Sequence, residues 1–140
     1  MGKGLSLQRN DFKEKICAII LCAGEGKRLK EITKSLPKPL IKIEKLNNIS
    51  IINHIINNLI NLEINQIAIV IGYLGEMIQE YISSITNNNE LLQKKLIIID
   101  TEKQYKLGPL YSFLSITKNS NFFTNSNYYV LIPGDTIFDV

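Results

Sequence analysis

Four runs of the chain are apolar, apart from the opening Gln66 of the second: 16–22, 66–71, 96–99 and 128–132. A strand with one wet face alternates apolar and polar residues, whereas a strand covered on both faces does not. The four runs therefore predict four buried strands. Between them the period changes. Over 50–63, Ile52, Ile56, Leu59 and Ile60 recur at helical spacing, with Asn53, Asn57, Asn58 and Asn61 on the other side. Asparagine is a poor helix former, so this helix must be carried by packing. Over 75–84, Met77, Ile78, Tyr81 and Ile82, continued by Ile85, mark a second helix. A third is predicted over 110–117, opened by Leu107-Gly108-Pro109. Residues 86–90, with three consecutive asparagines, read as a surface loop, and 119–127 as a polar loop carrying Phe122 and Phe123. Residues 30–36 read as a loop, 41–43 as a short strand, and Asn47-Asn48 as a turn.

The order β-α-β-α-β-α-β, with continuous strands, predicts a Rossmann-like, doubly wound, mainly parallel sheet with helices on both faces, a three-layer α/β/α fold. Residues 1–15 are polar and mixed in charge and are expected to form an arm. Residues 16–140 form one domain, because no change of composition divides them.

Hydrophobic residues make up 45% of the chain and charged residues 21%, an ordinary globular balance. The net charge of +3 is small and spread out, which argues against nucleic acid as a partner. No apolar run reaches membrane-spanning length and the polar start lacks the apolar core of a signal peptide. A cytoplasmic protein without membrane contact is expected. Cys17 and Cys22 fall on one predicted strand, pointing to opposite faces about 16 Å apart. They cannot bridge and read as buried structural thiols. His54, the only histidine, lies on the first helix without an acidic or cysteine neighbour in sequence, and a surface or structural role is expected.

The chemistry concentrates after the first strand. Ala23-Gly24-Glu25-Gly26-Lys27-Arg28 breaks the apolar run. Two glycines one residue apart permit a tight turn whose backbone N–H groups converge, and such a cradle binds phosphate. Arg28 adds a planar cation. Ten residues on, Lys38 sits between Pro37 and Pro39, each of which stiffens the backbone around it. Neither GxxxxGK[ST] nor GxGxxG is present, since Arg28 follows Lys27 and Leu29 stands where a third glycine would be. The set describes a holder for a polyphosphate.

Asp135, in Pro133-Gly134-Asp135, lies just past the fourth strand, as the glycines lie past the first. Ligands of doubly wound sheets bind outside those carboxyl ends. If the two strands are neighbours, the carboxylate faces the cradle, where Mg²⁺ would relieve its repulsion with phosphate. A turn residue is the competing reading of Asp135 taken alone. Asp139 reads as solvated.

The string Leu21, Ala23, Gly24, Gly26, Arg28, Leu29, followed by Pro37, Lys38, Pro39, Leu40, resembles the signature of nucleotidyltransferases that activate sugar 1-phosphates and related phosphorylated alcohols. Residues 69–82 and 131–139 are similar to further segments of that family. Cys22 replaces the family's usual small residue and Lys27 its usual Thr or Ser. The resemblance implies the glycosyltransferase-A-like nucleotidyltransferase fold, incomplete at this length. It implies Gly24 and Gly26 as phosphate-loop amides, with Leu21, Ala23 and Lys27 beside them. Arg28 would lie on the outer phosphates, Lys38 at the reacting α-phosphate, Gly108 in the base pocket and Asp135 on Mg²⁺. The implied reaction joins a nucleoside triphosphate to a sugar 1-phosphate with release of pyrophosphate. Alternatives within the resemblance are a cytidylyltransferase for phosphocholine or another phosphorylated alcohol, and a non-catalytic regulatory or assembly subunit. Only the first half of a family catalytic domain is covered. The chain alone is therefore expected to be a poor catalyst, with self-association or a partner chain covering the edge left by the fourth strand.

Overall fold

The computed structural model describes residues 16–118, 122, 126 and 128–140. The predicted arm and Phe123 lie outside the described residues. Strands β1 (Ile16–Leu21), β4 (Gln66–Ile71), β5 (Leu96–Asp100) and β6 (Tyr128–Pro133) form one sheet in the order β5-β4-β1-β6. All three pairings are parallel, with Cys17 opposite Gln66 and Ile16 opposite Tyr128. Strands β2 (Lys42–Ile43) and β3 (Ile49–Ser50) form a separate antiparallel ribbon. Its connection passes through Asn47 and Asn48, both left-handed with φ of 56° and 60°, a conformation asparagine tolerates.

The helices are α1 (Lys30–Thr33), α2 (Ile51–Asn61), α3 (Gly75–Thr86), α4 (Glu90–Lys95) and α5 (Pro109–Leu114). Even-numbered residues of β1 and odd-numbered residues of β4 pack with α2 and α3: Ala18, Ile20, Ile67 and Ile69 meet Ile52, Ile55, Ile56, Ile78 and Ile82. The alternate set, Cys17, Ile19, Ala68 and Val70, packs with Ile99, Ile116 and Phe122 on the other face. Both faces are covered, which is why the strands read as continuous apolar runs. The two cysteines fall in opposite clusters, both free and buried.

Helix α2 starts where Ser50 accepts a hydrogen bond from the Asn53 amide at 3.3 Å. Four asparagines disfavour it by about 0.7 kcal/mol each, or about 3 kcal/mol. Burial of Ile52, Ile55, Ile56 and Leu59, at 0–2% exposure, contributes about 1.5–3 kcal/mol per residue and wins. His54 on this helix is mostly buried. Its Nε2 lies 2.7 Å from the Phe138 carbonyl, which also accepts from Asn58 Nδ2. An acceptor nitrogen would repel that oxygen, so Nε2 carries the proton and donates. The histidine ties the segment after β6 to α2 and is structural. Asp139, 3.7 Å from it, is almost fully exposed.

Five expectations are corrected. Residues 30–36 include the helix α1 rather than forming a loop throughout. Helix α3 runs on to Thr86, and α4 follows a turn whose Asn89 side chain accepts from the Leu92 amide at 3.0 Å. Six residues are too few for a period to show, and an asparagine cap looks like a loop asparagine. The third helix is α at Pro109–Leu114 and tightens to a 3-10 turn at Ser115–Lys118. Strand β6 is not buried: Tyr128, Val130 and Leu131 are 43–54% exposed, because it pairs with β1 alone and forms the sheet's edge. Phe122, placed by sequence in a polar loop, is fully buried and stacks near Tyr129 at 5.9 Å between centroids.

Candidate functional site

The carboxyl ends of β1 and β6 are neighbours, Leu21 pairing with Pro133. Above them opens a cavity of about 440 Å³. That is the size of a small-molecule site. Leu21, Ala23, Gly24, Gly26, Lys27, Arg28, Lys38, Gly108 and Asp135 all line it, so every residue selected from the sequence is brought to one place.

The glycine loop is held from behind. The Tyr73 amide donates to the Ala23 carbonyl at 3.1 Å, and the Tyr73 hydroxyl donates to the Thr33 carbonyl at 3.1 Å. Thr33, in turn, donates from its buried hydroxyl to the Gly26 carbonyl at 3.2 Å. Gly26 sits at φ 64°, a conformation that favours glycine, and a side chain there would meet Thr33 and the aliphatic stem of Lys38. Around Gly24 the space is open, so a ligand can approach bare backbone. Arg28 is exposed and makes no ion pair with another described residue. Lys27 is exposed and its ammonium lies 3.6 Å from Glu25, a surface pair worth well under ~1 kcal/mol.

Across the floor, Lys38 Nζ reaches Asp135 Oδ2 at 3.1 Å, joining residues 97 apart in sequence. Pro37 caps the short 3-10 turn Lys38–Leu40 in extended geometry, and Pro39 is buried. Gly134 closes the gap. Its N–H donates to the Leu21 carbonyl at 2.8 Å, and any side chain would collide with Cys22 Sγ and that same carbonyl. Burial, then the nearby Asp135 charge, pushes the Cys22 thiol far up, so it stays protonated and is no nucleophile.

The Lys38–Asp135 pair is partly exposed, at 24% and 49% of the two side chains, and is worth about 1 kcal/mol or less. A stronger cation or phosphate can therefore separate it. Among the described residues no cluster of three or more His, Cys, Asp or Glu side chains forms. One accessible carboxylate beside a phosphate cradle suits Mg²⁺ that arrives with a triphosphate, because that ion takes few carboxylates and fills its shell with phosphate and water.

Sequence reasoning missed Tyr105, Pro109 and Ser112, which form the far wall, and Gly134 in the floor. Gly134 had a signal in its place directly before Asp135. The far wall had only Gly108. Asp100, Thr101 and Glu102, at the end of β5, do not line the cavity: Asp100 accepts the Glu102 amide at 2.7 Å within a turn, and Thr101 is buried. No helix among the described residues is long and apolar enough to cross a membrane.

Comparison with known proteins agrees with this geometry. Residues 17–140 match the family model described as Nucleotidyl transferase. The chain is 37% identical over 122 residues to the bifunctional protein GlmU of Methanococcus maripaludis, covering 87% of this chain and 25% of that protein. It is 34% identical over 123 residues to the D-glycero-alpha-D-manno-heptose 1-phosphate guanylyltransferase of Campylobacter jejuni, covering 88% and 49%. Among solved structures, the CTP:phosphocholine cytidylyltransferase LicC of Streptococcus pneumoniae superposes with a TM-score of 0.55 at 26% identity, over 86% of this chain and 45% of that one. The chain thus spans between a quarter and a half of the length of these relatives. With nearly all of its described sheet, its phosphate loop and its strand-end carboxylate inside one matched region, this chain belongs to the nucleotidyl transferase family.

Proposed function

We propose that this chain carries the nucleotide-binding half of an enzyme that joins a nucleoside triphosphate to a sugar 1-phosphate. The observation that carries the reading is the convergence of Gly24, Gly26, Arg28, Lys38 and Asp135 on one cavity, with Lys38 and Asp135 in contact. In the reaction, a phosphate oxygen of the acceptor forms a bond to the α-phosphorus. The α–β bridging P–O bond breaks, and pyrophosphate leaves with the electron pair. Most of the protein's work is positioning and charge stabilisation. Gly24 and Gly26 offer backbone approach to phosphate, Arg28 holds the outer phosphates, and Lys38 moves from Asp135 onto the α-phosphate as charge grows there. Asp135, released from Lys38, would hold Mg²⁺, and that ion would neutralise phosphate charge. The cytoplasm, where triphosphates are made, is the fitting compartment. A phosphorylated alcohol as acceptor is the second reading, supported by the structural likeness to LicC.

Titration calorimetry with the four common nucleoside triphosphates, with and without Mg²⁺, tests the core of this. At least one should bind below millimolar concentration, more tightly with Mg²⁺, and Asp135→Asn should remove the Mg²⁺ dependence. No binding by any of the four would overturn the reading.

A further inference from the structure

The stretch from Tyr105 to Ser112 lines the cavity with Tyr105, Gly108, Pro109 and Ser112, none of them charged, whereas Lys27, Arg28, Lys38 and Asp135 line it from other segments. If the charged side takes phosphates, as proposed above, the uncharged wall is left for the base. Its backbone has little to offer. The Gly108 N–H donates to the Tyr105 carbonyl at 3.2 Å, and Pro109 has no N–H.

Ser112 differs from its neighbours. It is the one buried residue of α5, 4% exposed, and it lines the cavity. A serine inside a helix usually returns its hydroxyl to the carbonyl four residues back. Ser115 does this, donating to the Tyr111 carbonyl at 3.0 Å and to Gln104 Oε1 at 3.1 Å. For Ser112 that carbonyl belongs to Gly108, and it already accepts the amides of Tyr111 and Ser112, at 3.1 and 3.3 Å. Both of its lone pairs are taken. Among the described residues the Ser112 hydroxyl has no hydrogen-bond partner; only the Ser112 amide is bonded, to the Gly108 carbonyl. A hydroxyl without a described partner, on a residue only 4% exposed that lines the cavity, is poised for a ligand.

We infer that Ser112 is a specificity-determining residue that hydrogen-bonds a polar edge of the nucleobase. The inference rests on the nucleotide reading and goes beyond it by naming the group that contacts the base. Its test compares Ser112→Ala with the parent chain in three measurements: affinity for the best-bound nucleoside triphosphate, affinity for inorganic tripolyphosphate, and melting temperature. The expected result is five- to tenfold weaker binding of the nucleotide, with tripolyphosphate affinity and melting temperature unchanged. Equal weakening of both ligands, no change in either, or a lowered melting temperature would overturn the assignment. If the parent chain binds tripolyphosphate and no nucleotide, the nucleotide reading fails first, and the assignment with it.

Discussion

Gly134→Ala places one methyl group in the tightest contact of the site. An ideal Cβ at Gly134 would stand 2.6 Å from Cys22 Sγ, 2.7 Å from the Leu21 carbonyl oxygen and 3.2 Å from Pro39 Cγ. None of these yields easily. The Cys22 side chain is 2% exposed, the carbonyl is backbone, and Pro39 is fixed in a 3-10 turn. The strain must go into separating the end of β6 from β1, which stretches the 2.8 Å bond from Gly134 to Leu21. Overpacking of this kind costs about 1–3 kcal/mol, and two close contacts with fixed atoms put it near the upper end. For a domain of this size, about 3–4 °C is lost per kcal/mol, so the melting temperature should fall by roughly 6–12 °C. Calorimetry measures this directly. A cycle with Cys22→Ala separates the contacts. In that background the sulfur is gone but the Leu21 carbonyl remains, so Gly134→Ala should still destabilise, by about 1 kcal/mol less. A Gly134→Ala protein that melts within a degree of the parent would show that the floor between Leu21 and Asp135 is looser than described.

Arg28→Ala and Lys38→Ala should fail differently: loss of Arg28 should weaken triphosphate binding about tenfold or more. Lys38→Ala should leave binding within a few-fold but lower kcat by about 10²–10³ in a form of the protein that turns over, and unchanged kcat would remove its assigned role. Stability should also decline in alkali. Burial raises the pKa of both Cys17 and Cys22, so the unfolded chain loses these protons first. Their contribution is fully present below the unfolded thiol pKa near 9 and falls above it by up to about 1.4 kcal/mol per pH unit per thiol. Urea midpoints from pH 7 to 10 should show this, and Cys22→Ala should flatten the slope; an unchanged slope would refute the account.

Much of the fold was legible because its cause is local. Ile16 to Cys22 must be covered on both faces, and that alone implies a sheet with helices on each side. The end of β6 was harder. Tyr128 to Leu131 are as apolar as β1, and only the pairing order shows that one flank is open. Phe122 is hidden for the opposite reason: its stretch is rich in asparagine and serine, but the residue packs with Ile116 and the sheet residues Ile19 and Val70, and no local period records that. Tyr73 lies just past the end of β4. Its bonds to Ala23 and Thr33 depend on where the phosphate loop folds back, which is tertiary information.

The uneven legibility of the site follows from its construction. The floor is the carboxyl ends of β1 and β6. The charged wall comes from one continuous stretch, Gly24 to Pro39, whose glycines, arginine and proline-flanked lysine announce themselves by type and spacing. The uncharged wall comes from the far side of the sheet. After β5 the chain crosses to the face opposite α2 and α3, and the turn at Tyr105 and the start of α5 then overhang the strand ends. Nothing about Tyr105 or Ser112 taken alone marks a site, because their positions are set by that crossing. Phosphate recognition needs cations and bare amides, which few other roles require. Base recognition needs an apolar surface with one or two hydrogen-bonding groups, which is also what a core needs. The two kinds of chemistry therefore leave different traces. On the proposed reading, the phosphate side is written in residue types, and the base side only in a cavity-lining hydroxyl, that of Ser112, which makes no hydrogen bond to a described residue.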